Sequence, residues 1–378
     1  MMRVPFFDPT RSAAALEAEL QNAFLRVLRG GRYILGPEVE GLEAACGQML
    51  GAPYTIGVSS CSDALLVSLM ALNLRPGDEV ICPSYTFFST AGSVARLGGR
   101  PVFADIRPGC FTLDPADVAR RITPRTVGII AVHLFGLPAD MASLLDLARR
   151  RGFWLIEDCA QAMGTEIGDA RAGTLGTLGC FSFFPTKNLG GFGDGGLVAT
   201  SDADLARRVR ALRSHGAEAK NNHAIVGGNF RIDALQAALL RVKLETFDAD
   251  LAKRRKNAAL YDALLTGAGL GEDALGERPP GHTFNQYVIR VRGDGARDRL
   301  RQALADRGIG TEVYYPVPLH LQPAFASLGN AAGDLPVSEA AARESLALPI
   351  FPELSEAEIR HVARSIQENR TVNVRPPR

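Results

Sequence analysis

A single lysine stands at the end of an apolar run, Phe181-Ser182-Phe183-Phe184-Pro185-Thr186-Lys187, and the chain passes at once into Asn188-Leu189-Gly190-Gly191. An amine held among phenylalanine and glycine is desolvated, which lowers its pKa and makes it a usable nucleophile. A second apolar run, Phe153-Trp154-Leu155-Ile156, ends in Glu157-Asp158-Cys159-Ala160-Gln161. Most lysines in turns are solvated surface groups, so it is the pairing of Lys187 with this acidic run that points to chemistry. A Schiff-base lysine with an acid that holds a pyridinium proton is the working pair of a pyridoxal phosphate (PLP) enzyme.

Two further stretches could complete a site. Ser59-Ser60-Cys61-Ser62-Asp63 follows a strand-like run and opens a helix-like one. Free backbone N–H groups and the positive end of a helix dipole would suit a phosphate there. Plain N-capping by Ser62 or Asp63 is the alternative. Phe87 and Phe88 follow Pro83-Ser84-Tyr85-Thr86; either aromatic could stack on a planar ring or pack in the core.

The elements that must position these residues alternate. Short apolar strands at 55–58, 79–82, 101–104, 127–132, 154–156 and 180–183 are separated by helix-length segments. Such alternation predicts an α/β fold with a mostly parallel central sheet covered by helices. A seventh strand, 196–199, follows without a full helix between and is expected to run antiparallel. Ligands of open parallel sheets collect outside the carboxyl ends of the strands, where Ser59–Asp63, Tyr85–Phe88, Asp158–Gln161 and Ser182–Lys187 fall. Before the sheet, helices are expected over 12–31 and up to Leu50. After it come a helix over 202–214, an exposed loop over 215–228 and one long helix over 232–265. Residues 283–368 read as a small α/β domain with strands at 286–291 and 311–315, and 371–378 as a disordered tail. The expected division is a large PLP-binding domain with the N-terminal segment, 1–245, and a small C-terminal domain, 246–378.

Composition narrows the classes. The 378 residues are 46% hydrophobic and 22% charged, with a formal net charge of +1, as in soluble globular proteins. No nucleic-acid-type basic block occurs; Lys253-Arg254-Arg255-Lys256 suits a solvated helix face. The opening Met1-Met2-Arg3-Val4-Pro5 lacks the apolar core of a secretory signal. No run reaches the length of a membrane span, so a cytoplasmic location is expected, with no membrane or nucleic-acid partner. Six scattered cysteines without CxxC or Cys/His spacing predict free thiols and no metal site.

The ordered set Tyr85-Thr86-Phe87, Glu157-Asp158-Cys159-Ala160-Gln161-Ala162, Ser182-Phe183-Phe184-Pro185-Thr186-Lys187-Asn188-Leu189-Gly190 and Asn229-Phe230-Arg231 resembles the DegT family of PLP-dependent nucleotide-sugar aminotransferases. Gly308-Ile309-Gly310-Thr311 and Tyr315-Pro316-Val317-Pro318-Leu319-His320 belong to the same pattern, and the likeness runs from Val4-Pro5-Phe6 to Leu348-Pro349. It implies a type I PLP-transferase fold acting as a homodimer with shared active sites, and pyridoxamine phosphate as the alternate cofactor form. By the resemblance, Lys187 forms the Schiff base, Asp158 pairs with the pyridine nitrogen, Phe87 stacks on the ring and Gln161 contacts its other face. Ser182 and the Cys61-Ser62 pair would hold the phosphate, with Asn229 reaching it from the neighbouring subunit. Arg231, Tyr314 and His320 fall where sugar or nucleotide contacts are expected, and Tyr33 at the mouth of the site. The family's phosphate turn usually reads Gly-Thr; Cys61-Ser62 keeps the hydroxyl but sets a side chain where backbone approaches phosphate.

Family members with His in place of the lysine are dehydratases, so Lys187 argues for amino transfer. The stretches Arg26–Pro37 and Asn229–Ala238 look most like members aminating a 3-keto sugar nucleotide, dTDP- or UDP-linked, with L-glutamate as donor. A 4-keto sugar, a keto-inositol with glutamine as donor, or a non-catalytic PLP-binding regulator are the alternatives.

Overall fold

The structure is a computed structural model that describes residues 2–219 and 221–373. Its centre is a seven-stranded sheet: β1 (Tyr54–Val58), β2 (Glu79–Pro83), β3 (Arg100–Ala104), β4 (Thr126–Val132), β5 (Trp154–Cys159), β6 (Leu178–Ser182) and β7 (Gly196–Thr200), in the order β1-β7-β6-β5-β4-β2-β3. Neighbours from β6 to β3 pair in parallel, whereas β7 runs antiparallel to both β6 and β1. The expected reversal near Gly196 is therefore present.

Alternation of side chains along each strand divides the core between the two sheet faces. Val80, Ile130 and Ile156 join one apolar cluster, and their neighbours Ile81, Ile129 and Leu155 join the other. Strands covered on both faces read as unbroken apolar runs, which is why the sequence reveals them. The chain belongs to the α/β class, with a mostly parallel sheet whose carboxyl ends gather on one side.

A second core lies in the C-terminal part. Strand β8 (Tyr287–Arg290) pairs antiparallel with β9 (Ser345–Leu348). Tyr287, Ile289, Leu346 and Leu348 pack with Ala258 and Tyr261 of the Phe247–Gly267 helix and with Ile359, Val362 and Ile366 of the Glu356–Asn373 helix. Val4 joins this core, pinned by hydrogen bonds from Val4 N to Gly308 O (2.9 Å) and from Gly310 N to Val4 O (2.8 Å). Phe247 and Leu251 instead pack in a cluster with Phe181 and Phe183.

Several expectations need correction. The long helix over 232–265 is two helices, Ala234–Glu245 and Phe247–Gly267, because Thr246 leaves ideal helical geometry with φ −99 and ψ −2. The first helical stretch breaks likewise, at Leu16. The 215–228 loop contains a short antiparallel pairing of Ala217–Ala219 with Asn222–His223. Residues 311–315 form no strand; only Glu312 bridges to Ala347. In the tail, 371–373 continue the final helix, and 374–378 lie outside the described residues. No helix among the described residues is long and apolar enough to cross a membrane.

An ion pair staples the N-terminal segment to the last helix. Arg11 donates through Nη1 to Glu358 Oε2 (3.0 Å) and through Nη2 to Oε1 (2.8 Å). Ser355 adds its backbone N–H and hydroxyl to the same carboxylate. Burial alone would raise the Glu358 pKa, but these donors prevail and hold it at about 2. A carboxyl depressed in the folded state stabilises above its unfolded pKa and loses that contribution as pH falls through the folded one. Denaturant unfolding should therefore show a loss of stability between the ordinary glutamate range, 4.5, and about 2. Glu358→Gln should flatten the curve in that window; an unchanged curve would exclude Glu358 as its source.

Candidate active site

At the carboxyl ends of β2, β5 and β6 and beside β1 lies a cavity of about 410 Å³, within the range of small-molecule sites. Lys187, Asp158, Gln161, Ser182, Cys61, Ser62, Phe87 and Tyr314 all line it. Residues that the sequence separates by up to 253 positions are thus brought together by the strand ends, Cys61 and Tyr314 being the extremes.

Lys187 follows β6 in a tight loop whose turn is set by Lys187 N–Phe184 O (2.9 Å) and Gly191 N–Phe183 O (2.7 Å). A Cβ at Gly190 would lie 2.3 Å from Pro185 O, so only glycine lets the loop close. Burial pulls the Lys187 pKa down, against the opposing pull of Cys61 and Asp158. Asp158, at the end of β5, is 4% exposed. Burial drives its pKa up, while Thr90, the Ala160 N–H and Lys187 hold it back. Its Oδ2 accepts from Thr90 Oγ1 (2.8 Å) and its Oδ1 from Ala160 N (3.1 Å). Both shifts push the pair toward a neutral amine and a carboxyl ready to share a proton.

Neighbouring Glu157 faces the opposite way. Its carboxylate accepts from the backbone N–H of Gly173 (2.8 Å), Leu175 (2.8 Å) and Gly176 (2.6 Å), and from His133 Nε2 (3.0 Å). His133 Nδ1 accepts from Ala139 N (3.0 Å), which fixes Nε2 as the protonated nitrogen. Burial raises the Glu157 pKa, yet this donor set leaves it lowered. His133, Glu157 and Cys159 form a tight buried group, but both ring nitrogens are committed to protein partners. Glu157 is structural; Asp158 faces the cavity.

The turn after β1 opens the Cys61–Ala71 helix. Its N-cap is Ser60, not Ser62 or Asp63: Ser60 Oγ accepts from Asp63 N (3.1 Å), while Asp63 Oδ2 accepts from the hydroxyls of Ser59 (2.7 Å) and Ser60 (3.1 Å). Ser62 Oγ is instead 2.6 Å from Ser89 Oγ. Gly196 of β7 lies so near that a Cβ would be 2.5 Å from the Ser60 carbonyl carbon and 2.8 Å from Cys61 N. Cys61 joins an apolar cluster with Val58, Ala64 and Leu65, so its side chain packs into the core. The first-turn N–H groups of a helix lack intrahelical partners, and here they edge the cavity beside the hydroxyls of Ser62 and Ser182. This donor set at a helix N-terminus suits a phosphate, the desolvated Lys187 amine suits a carbonyl, and Asp158 suits a ring N–H. The residues fit PLP.

Phe87 is 55% exposed and forms a wall, its ring 6.1 Å from that of Tyr315. Gln161 is braced by Phe135 N donating to Oε1 (2.7 Å) and by Nε2 donating to Tyr315 Oη (3.3 Å). Tyr33, Asn229, Arg231 and His320 do not line the cavity. Tyr33 is exposed, its Oη donating to Leu28 O (3.3 Å). Asn229 is exposed and bridges Ser214, while Arg231 is half-buried beside Val58. His320, expected at the substrate, is 1% exposed. Its Nδ1 is 2.6 Å from Ser84 Oγ and its Nε2 3.2 Å from Glu339 Oε1; both nitrogens are consumed in joining the end of β2 to the Pro336–Glu344 helix.

Sequence reasoning passed over Ser89, Thr90, Gln286 and Tyr315, although Ser89, Gln286 and Tyr315 line the cavity and Thr90 bonds Asp158. Ser89 and Thr90 directly follow Phe87-Phe88, so the hydroxyl pair was visible there; nothing local marks Gln286.

Residues 14–367 match the DegT/DnrJ/EryC1/StrS aminotransferase family. A Geobacillus stearothermophilus protein named "Pleiotropic regulatory protein" is 45% identical, covering 97% of this chain and 98% of that protein. The UDP-N-acetyl-3-dehydro-alpha-D-glucosamine 3-aminotransferase of Acidithiobacillus ferrooxidans is 41% identical, over 96% and 97%. The dTDP-3-amino-3,4,6-trideoxy-alpha-D-glucose transaminase of Streptomyces venezuelae is 42% identical, over 97% and 96%. Among solved structures, S. venezuelae DesV in complex with a ketimine intermediate superposes with a TM-score of 0.93 at 41% identity, over 100% of both chains. NtdA from Bacillus subtilis with bound PMP gives 0.90 at 30% identity, over 97% of this chain and 86% of that one.

Proposed function

Because the chain belongs to the DegT/DnrJ/EryC1/StrS aminotransferase family, we propose that it moves an amino group from L-glutamate to a 3-keto sugar linked to UDP or dTDP, by a ping-pong route through Lys187. The observation that carries this reading is the cavity shared by buried Asp158 and half-buried Lys187, whose pKa is lowered by desolvation, with a helix N-terminus at its edge. The aminotransferase relatives with 3-amino or 3-dehydro sugars in their names support the acceptor class.

PLP, when bound, supplies a carbonyl that receives nitrogen and a protonated ring that accepts the electron pair left at a substrate carbon. Asp158 would hold the ring N–H, and Ser62, Ser182 and the first-turn N–H groups of the Cys61–Ala71 helix would hold the phosphate. In a homodimer, Asn229 of the partner subunit would complete that phosphate site. Phe87 would cover one ring face and Gln161 the other. The lowered pKa of Lys187 would let its amine take a proton from the donor's α-carbon as general base and then, as general acid, deliver it two atoms away, to the carbon on the far side of the nitrogen. Tyr314 on the cavity wall, together with Arg231 and Tyr33, would contact the sugar nucleotide. The same residues then act in reverse order on the keto sugar.

Incubation with nitrogen-labelled L-glutamate and UDP- or dTDP-linked 3-keto sugars tests this. The expected product is a labelled 3-amino sugar nucleotide. Label passing only to a 4-keto sugar or a keto-inositol would overturn the acceptor assignment. The name of the Geobacillus relative favours one second reading, a PLP-binding regulator, which would keep its function without Lys187.

A further inference from the structure

Two adjacent hydroxyls at the start of the Ser89–Arg96 helix each bond a residue that lines the cavity. Ser89 Oγ lies 2.6 Å from Ser62 Oγ in the turn after β1, and Thr90 Oγ1 donates to Asp158 Oδ2 at 2.8 Å. We propose that this first turn is a positioning element for the cofactor, in which Thr90 fixes the direction and charge of Asp158 and Ser89 fixes the phosphate-side hydroxyl of Ser62. The inference rests on the PLP reading above and goes beyond the residues that touch the cofactor.

The direction of the hydrogen bonds follows from the donor inventory. An ionised carboxylate only accepts, and a threonine hydroxyl has one proton to give. Thr90 therefore spends its proton on Asp158. Its contact with Thr86 Oγ1, at 3.3 Å, must then run from Thr86 to Thr90. Thr86, Thr90 and Asp158 are 2%, 0% and 4% exposed, so the relay Thr86→Thr90→Asp158 is shielded from water. With Ala160 N on Oδ1, each carboxylate oxygen has one protein donor and keeps a lone pair for a ligand.

A threonine in a helix's first turn ordinarily bonds the local backbone. Thr90 does not: its hydroxyl crosses to another element, 68 residues away in sequence. Its β-branched side chain has few rotamers, so the donor is aimed in advance. The helix is itself anchored, Phe88 stacking on Phe325 with ring centroids 5.3 Å apart and Ser93 Oγ donating to Ser62 O at 3.4 Å. Charge-assisted hydrogen bonds in a dry site are strong, and losing one moves Asp158 toward its neutral form. A neutral Asp158 holds a ring N–H less firmly.

The test uses the full chain stripped of and then titrated with PLP, as wild type, Thr90→Val, Thr90→Ser and Ser89→Ala. Thr90→Val keeps the shape and removes the donor. It is expected to weaken PLP binding about 10- to 100-fold and to move the pH midpoint of the bound-cofactor absorbance upward, since a less protonated ring withdraws less charge from the lysine-linked nitrogen. Thr90→Ser should restore both readouts. Ser89→Ala should weaken binding without moving the midpoint. Should Thr90→Val not fold, Thr90→Ala carries the same expectation. A Thr90→Val protein with lower thermal stability but wild-type midpoint and affinity would overturn the inference. Wild type that takes up no PLP would instead overturn the reading beneath it.

Discussion

Lys187→Ala is expected to reduce amino transfer by about 10⁴-fold or more while leaving the chain folded. Two functions are lost together: the amine that bonds the cofactor and the general acid/base between donor carbon and cofactor, and proton transfer alone contributes about 10²- to 10⁴-fold. The fold should survive because burying an ammonium costs free energy. The loop is held by backbone bonds from Lys187 N and Gly191 N, which alanine retains. Borohydride treatment of the PLP-loaded wild type should fix cofactor mass to the peptide containing Lys187, and the variant should take up none covalently. A variant with more than a few per cent of wild-type turnover would remove Lys187 from the mechanism.

Asp158→Asn is the second large effect. The substitution preserves volume, and Thr90 can still donate to the amide oxygen. It removes the negative charge that would keep the ring nitrogen protonated, and it can set an amide N–H against Ala160 N, which now donates to Oδ1. Removing one electrostatic stabiliser in a dry site costs about 10²- to 10³-fold in turnover, and a loss in kcat of that size is expected. Glu157→Gln, one residue away, should act differently. Its carboxylate serves His133 and three backbone N–H groups, so its loss should appear first as lowered thermal stability. Matching effects of the two variants on kcat at equal stability would contradict the division of roles between these adjacent acids.

The site was legible in sequence to the extent that its residues end strands. Asp158 and Lys187 close β5 and follow β6 in apolar runs buried on both faces, and such runs announce themselves. The antiparallel β7 was legible because 183–195, broken by Pro185 and four glycines, holds no full helix to carry the chain back across the sheet. What escaped depends on tertiary contact. His320 resembled a ligand-contacting histidine, but Ser84 and Glu339, 236 and 19 residues away in sequence, claim both its nitrogens. Thr90 carries no pattern of its own, since only the fold brings Asp158 to its hydroxyl. Strand β9 is a four-residue run with one partner strand and a lone bridge to Glu312, too short to distinguish from the end of the preceding helix. Cys61 raised a steric difficulty at the phosphate turn that the core removes by taking in its side chain.

The most direct measurement is the absorbance spectrum of the PLP-loaded chain before and after L-glutamate is added. The expected result is a visible band from lysine-bound cofactor that bleaches to a pyridoxamine-type spectrum, and returns when the correct keto sugar nucleotide is supplied. A chain that stays colourless and spectrally unchanged through saturating PLP would contradict the assignment of Lys187 and Asp158 as a cofactor pair.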